Sequence, residues 1–193
     1  MVQLRAGRLV AAVALAFVVA GCTGGAVMLP SQPHKAGEAG PIPARDLPRH
    51  GLTPGGINPK VTQANIRQTI CVPGWSARQR PSRTRSATLK KRVMRLYRYQ
   101  GQRPAGYEGD HLIPISLGGD PETSGGTENF WPEPWAGPYG AKTKDDFEHW
   151  AYREVCEGRM TLAAAQQAFA SNWYQAWVKA GRPSGDSGGG FTD

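Results

Sequence analysis

Tyr107-Glu108-Gly109-Asp110-His111-Leu112-Ile113-Pro114, then Leu117-Gly118-Gly119-Asp120-Pro121, then Asn129-Phe130-Trp131-Pro132, then the run from Ala141 to Cys156 decide the fold of this chain. The first segment reads as a strand entering a turn, and the Gly-Gly-Asp-Pro cluster as a loop. Phe130-Trp131 gives a second short strand, whose length Pro132 and Pro134 limit. From Ala141 to Cys156 the pattern is helical, with Phe147, Trp150, Ala151 and Val155 near one face and Gly158 as the stop. A small two-stranded hairpin followed by a helix is thus the centre of an α+β, mainly helical domain.

Outward from that centre, Thr88–Tyr99 predicts a helix. Leu89, Val93, Leu96 and Tyr97 recur at i, i+4, i+7 and i+8, which leaves Lys90, Lys91, Arg92, Arg95 and Arg98 largely to solvent. Gly101 and Pro104 end it. A short helix is expected around Gln63 to Thr69. Thr161 can N-cap a last helix running to about Lys179, with Leu162, Ala165, Phe169, Trp173 and Trp177 inward.

The N-terminus reads as an address. Arg5 and Arg8 precede a run from Leu9 to Ala20 without a charge, too short to span ~30 Å of hydrocarbon and suited to a signal-peptide core. Val19-Ala20-Gly21-Cys22 resembles a bacterial lipobox. That resemblance implies cleavage after residue 21, lipidation of Cys22 and an exported chain anchored to the envelope membrane, the outer one where there are two. The alternative is an ordinary secretory signal, giving a periplasmic or extracellular protein. Residues 22–51 form a Pro/Gly-rich tether, the folded unit covers 52–181, and the tail 182–193 is Gly/Ser-rich. The last part of the Pro/Gly-rich stretch, from about Leu52, already lies against the domain. Once Cys22 is set aside, Cys71 and Cys156 remain, and an oxidising compartment favours their pairing. The loop closed in this way is worth ~4 kcal/mol in the chain-entropy model.

The chain has 193 residues, which allows one domain or two. Six Trp, six Tyr and five Phe exclude a fully disordered chain, and the absence of any Gly-x-y or heptad period excludes collagen and coiled coil. The formal charge of +8 is unevenly distributed: Val61 to Tyr107 holds eleven Lys/Arg and no acid, whereas Glu108 to Glu157 holds eleven acids and three Lys/Arg. The basic half suits a polyanion, or the anionic membrane surface beside the tether. Arg78, Arg80, Arg83, Arg85, Lys90, Lys91, Lys142 and Lys144 are the candidate nucleic-acid contacts.

Asp110-His111, a proline three residues on, the Gly-Gly loop, Asn129 eighteen residues after the histidine and then a helix together resemble the His-Me finger (HNH-type) endonucleases. The match is closer to small exported members with Asp-His-Leu-Ile-Pro near a Trp-Pro-Glu-Pro run. The finger covers 107–157, and the subgroup likeness extends from Leu52 to Trp173. The resemblance implies one divalent metal, Mg²⁺ or Mn²⁺, held by Asp110. It makes His111 the general base, and has Asn129 hold the loop and the histidine by hydrogen bonds. The chemistry agrees: imidazole takes a proton near neutral pH, and carboxylate is a hard ligand suited to these ions.

HNH fingers usually take a second ligand from the first helical turn, where this chain offers Lys142, Thr143 and Lys144. A protonated lysine ligates no metal. The open alternatives are Asp145 or Glu148 as ligand, support by water and substrate phosphate, or a positive charge supplied by Lys142 or Lys144. His149 lies too far along the helix, and Trp131 and Trp135 read as packing residues. The expectation is an exported, metal-dependent nuclease, monomeric by default, acting on DNA or RNA. The alternative is a non-catalytic lipoprotein that binds nucleic acid or an envelope polymer and keeps the finger fold.

Overall fold

The hairpin and helix anticipated from the sequence are present in the computed structural model, which describes residues 47–185. Strand β1 (Tyr107–His111) pairs antiparallel with β2 (Phe130–Pro134), in the register Glu108 opposite Glu133, Asp110 opposite Trp131 and His111 opposite Phe130. The signal segment, Cys22 and the tail beyond residue 185 lie outside the described residues.

Strand β2 runs through both prolines, further than the Phe130-Trp131 pair expected. The register explains this. Leu112 N–H donates to Asn129 O, and Trp135 N–H to Gly106 O, so ladder bonds fall on every second pair. Pro132 and Pro134 occupy the intervening pairs, where the missing N–H would point away from β1.

The other elements are α1 (Trp75–Gln79), α2 (Arg83–Leu96), α3 (Ala141–Cys156) and α4 (Leu162–Lys179), with a 3₁₀ turn at Gln63–Gln68. Helix α1 was not anticipated. Helix α2 starts five residues before the expected Thr88 and stops at Leu96. Its first turn carries no large apolar residue for a periodicity to register, but Ser82 caps it, the hydroxyl accepting from Arg85 N–H at 3.2 Å. Leu96, expected inward, is 44% exposed, and Met94 is buried instead.

Helix α3 has the bounds expected. Thr161 caps α4, accepting from Ala164 N–H at 3.1 Å. Helix α4 breaks at Asn172 (φ −164°, ψ 90°), whose side chain accepts from Gln175 N–H at 3.0 Å and recaps the last turns.

The main core joins Trp131, Phe147, Phe169, Trp173, Val155 and Tyr97 between α3, α4 and the hairpin. A second cluster, Leu89, Val93 and Phe130, pins α2 to β2. Gly109 makes that possible: a Cβ there would lie 2.5 Å from Phe130 Cζ, so only glycine lets the ring cross β1. Cys71 and Cys156 are disulfide-bonded, which ties the segment before α1 to the end of α3 across 85 residues of sequence.

The N-terminal segment lies along the loop after β1, with Asp120 N–H donating to Gly56 O and Asn58 N–H to Gly118 O. Its contacts reach back to Arg49, whose N–H donates to the Tyr97 hydroxyl at 3.1 Å. At the other end, Gly185 N–H donates to Asp146 Oδ1 at 3.0 Å, so the first tail residues touch α3.

Candidate functional site

A cleft of about 390 Å³ opens where β1 ends. Arg80, Arg83 and Ser86, from the junction of α1 and α2, line it together with Asp145, Glu148, His149 and Tyr152 of α3. Glu108, Asp110 and His111 reach it from β1. The cleft thus brings arginines from the basic half of the sequence together with carboxyls from the acidic half. Asp110 and His111 would point to opposite faces in a regular strand, yet both line this cleft because His111 is the last residue of β1.

His111 is 9% exposed, with the Phe130 ring edge-on at 4.9 Å. Its Nε2 has no hydrogen-bond partner. Burial lowers its pKa to about 4, against the attraction of Asp110. At pH 7 the ring is therefore neutral and has an acceptor nitrogen to offer.

Asn129 is 1% exposed. Its Oδ1 accepts from Ile113 N–H at 2.8 Å, and its Nδ2 donates to Ile113 O at 3.0 Å. It therefore clamps the loop just after His111, and these bonds go to Ile113 rather than to the imidazole, so it is a positioning residue. Gly119 completes the clamp, since a Cβ there would lie 1.8 Å from Ile113 O. Asn129→Ala is expected to cost about 2 kcal/mol, because it orphans a buried N–H and C=O. A urea titration of both proteins checks this, and an unchanged midpoint would contradict the clamp.

Lys144 is where the structure departs most from the expected site. Sequence reasoning placed it among solvent-facing phosphate contacts, but it is fully buried. Its ammonium lies 2.8 Å from Asp110 Oδ2, donates to His111 O at 3.0 Å and pairs with Glu148 one turn on. Its charge sits 5.4 Å from the centre of the Phe169 ring. Burial alone would lower its pKa; Asp110, Glu148 and Glu133 outweigh that and hold it above the ordinary lysine value.

Glu133, which sequence reasoning missed, is also buried, and neither carboxylate oxygen has a partner. Burial and the nearby Asp110 raise its pKa well above the usual carboxylate range. Glu148 is raised too, by burial first, with Lys144 opposing.

Two more of the expected phosphate contacts are engaged within the fold. Arg85 donates to Glu122 Oε2 and Gly125 O, both at 2.9 Å, and so clasps α2 to the loop before β2. Lys90 donates to Tyr107 O at 2.5 Å, fastening α2 to β1. Arg78, Arg80, Arg83, Lys91 and Lys142 are exposed, with Arg80 and Arg83 at the cleft. Trp131 is fully buried and donates its indole N–H to Asp110 Oδ2 at 3.0 Å, whereas Trp135 is 51% exposed.

A divalent metal is a poor fit at Asp110. Its Oδ2 already accepts from an indole N–H and a buried ammonium, and the ammonium would repel a second cation at that point. Asp145, the other expected ligand, lines the cleft on α3. Among the described residues, no three of His, Cys, Asp and Glu are grouped so as to hold a metal ion. No family model, curated protein or solved structure matches this chain.

Proposed function

We propose that this domain is a nuclease that cleaves phosphodiester bonds, with His111 taking the proton of the attacking hydroxyl. The observation that carries the reading is the His111 imidazole: it is neutral at pH 7 and lines a cleft that arginines border. Arg80 and Arg83 supply charge for the phosphate, and Arg78, Lys91 and Lys142 extend the positive surface. Asn129 keeps the loop after the histidine in place. The disulfide supports an exported location, because such bonds persist in oxidising compartments. Lipid on Cys22 as the membrane anchor is part of the same proposal.

A second reading is a non-catalytic lipoprotein that binds nucleic acid or another polyanion. The buried Lys144 favours it, since it leaves no place for a catalytic metal at Asp110.

One assay separates the two. The purified, oxidised protein is incubated with supercoiled plasmid and with single-stranded RNA, in Mg²⁺, Mn²⁺ or EDTA. Turnover of either polymer that is absent from a parallel His111→Gln preparation supports the nuclease. Binding without turnover, falling with salt at a slope of roughly −5 for about six phosphate contacts, supports the second reading.

A further inference from the structure

We infer that the polymer is RNA, and that the cleft breaks it by attack of the RNA's own 2′-hydroxyl on the neighbouring phosphorus, without a divalent ion. This rests on the reading of the cleft as a phosphodiester-cleaving site.

Water is a poor nucleophile, and a nuclease that uses it needs something to activate the water and to neutralise the phosphorus centre. A metal commonly does both. Here the carboxylate best placed to hold one, Asp110, is bound to an ammonium that is itself buried and held by Glu148 and the His111 carbonyl. Displacing that ammonium would leave it buried without its partners, which costs more than an exposed pair would. The fixed cation under the site is thus part of the protein, and it serves to orient Asp110 and the His111 backbone.

What faces the cleft instead is a base and a set of cations. His111 lines the cleft with the exposed tenth of its surface, while its Nε2 is buried and without a partner. Arg83 and Ser86, in the first turn of α2, line the cleft, so the positive end of a 14-residue helix adds to the arginine charge. That is equipment for holding a phosphate and removing one proton. RNA supplies the missing component, because its 2′-oxygen is already beside the phosphorus. Intramolecular attack of this kind carries an effective molarity of about 10⁵–10⁸ M, so a positioned base suffices.

The step balances without a co-reactant. The 2′-hydroxyl gives its proton to the His111 imidazole, and its oxygen forms a bond to phosphorus. The bond from phosphorus to the 5′-oxygen breaks, and that oxygen keeps the electron pair. It takes a proton from solvent in the open cleft, and His111 afterwards returns one to solvent. The products are a 2′,3′-cyclic phosphate and a 5′-hydroxyl end, and no water is consumed. DNA, which lacks the 2′-hydroxyl, cannot follow this route.

The test uses the full exported chain in its oxidised form with three end-labelled probes of one base sequence: RNA, DNA and RNA carrying 2′-methoxy groups. Each is incubated with Mg²⁺ and with excess EDTA. The expected result is RNA cleavage that is unchanged in EDTA and yields fragments whose mass shows a cyclic phosphate. Cleavage of the other two probes is expected to be slower by about 100-fold or more, as is cleavage of RNA by His111→Gln. Cutting of DNA, a requirement for Mg²⁺, or fragments with a 5′-phosphate would overturn this inference and leave the nuclease reading intact. RNA cleavage equal in His111→Gln would overturn it as well, because the activity would not belong to this cleft. No cleavage of any probe would overturn both.

Discussion

His111→Gln is expected to lower the cleavage rate by about 10²–10⁴-fold, the usual contribution of a positioned general base. Gln can still pack against Phe130, so the domain should fold. The pH dependence separates catalysis from structure. Because burial holds the His111 pKa at about 4, the base is already unprotonated well below neutrality. Activity should therefore persist from pH 7 down to about 5 and fall only as the pH approaches about 4. A free histidine would give a fall near 6.5.

The same residue sets an acid limit on stability. The unfolded chain takes up a proton on His111 below about pH 6.5, but the folded chain does so only near 4. The stability this group permits is thus complete above about 6.5 and is lost as pH falls to about 4, by about 3 kcal/mol in all. Glu133 and Glu148 act in the opposite sense. Their folded pKa values are raised, so their contribution is present at low pH and is lost as pH rises through the folded value. Comparing urea midpoints of the wild type and His111→Gln at pH 7 and pH 4.5 isolates the histidine, since both proteins keep the carboxyls. The variant should lose less stability on acidification. Equal losses would show that His111 is not held neutral.

The hairpin, α3, the cap of α4 and the disulfide were legible in the sequence because each rests on a local signal. An aromatic pair, an apolar stripe, a Thr before a helix and a pair of cysteines can each be read without the rest of the molecule. The first turn of α2 was not legible from apolar spacing, because Ser82 and the arginines after it carry none. The placements of Arg85, Lys90 and Lys144 were missed for another reason. Lys and Arg are almost always exposed, so a basic run reads as a solvated or ligand-binding surface. Each of the three instead reaches a backbone carbonyl or carboxylate far away in sequence. For Lys144 a local signal did exist: positions 141, 144, 147, 151 and 155 follow the helical period, so residue 144 lies on the buried face of α3. Glu148, one turn beyond Lys144, is at the spacing that helical ion pairs use. Glu133 offers no such signal. Its burial follows from the register of β2, which the two prolines obscured.

Lys144→Met is expected to destabilise the domain by about 3–5 kcal/mol, because it removes the buried ammonium that pairs with the part-buried Asp110 and Glu148 and attracts the buried Glu133. Methionine keeps an unbranched stem against Phe169, so lost packing is a minor part of the cost. The remainder is repulsion and desolvation among carboxylates left without a counter-charge. Two consequences follow from that cause. First, the penalty should shrink on acidification, since protonated carboxyls need no ammonium. The variant should approach the wild type as pH falls from 9 to 7, through the raised pKa of Glu148 at about 8. Second, neutralising the partners should restore stability even though the lysine is still absent. In Lys144→Met/Asp110→Asn/Glu148→Gln, the amide oxygen at position 110 still accepts from the Trp131 indole, and no buried charge is orphaned. That triple variant is expected to recover more than half of the loss. Thermal melts of the three proteins decide it. A fall of about 10 °C or more in the single variant, largely reversed in the triple, is the expected pattern for a domain of this size. A single variant within about 0.5 kcal/mol of the wild type would mean that the ammonium does not hold these carboxyls together.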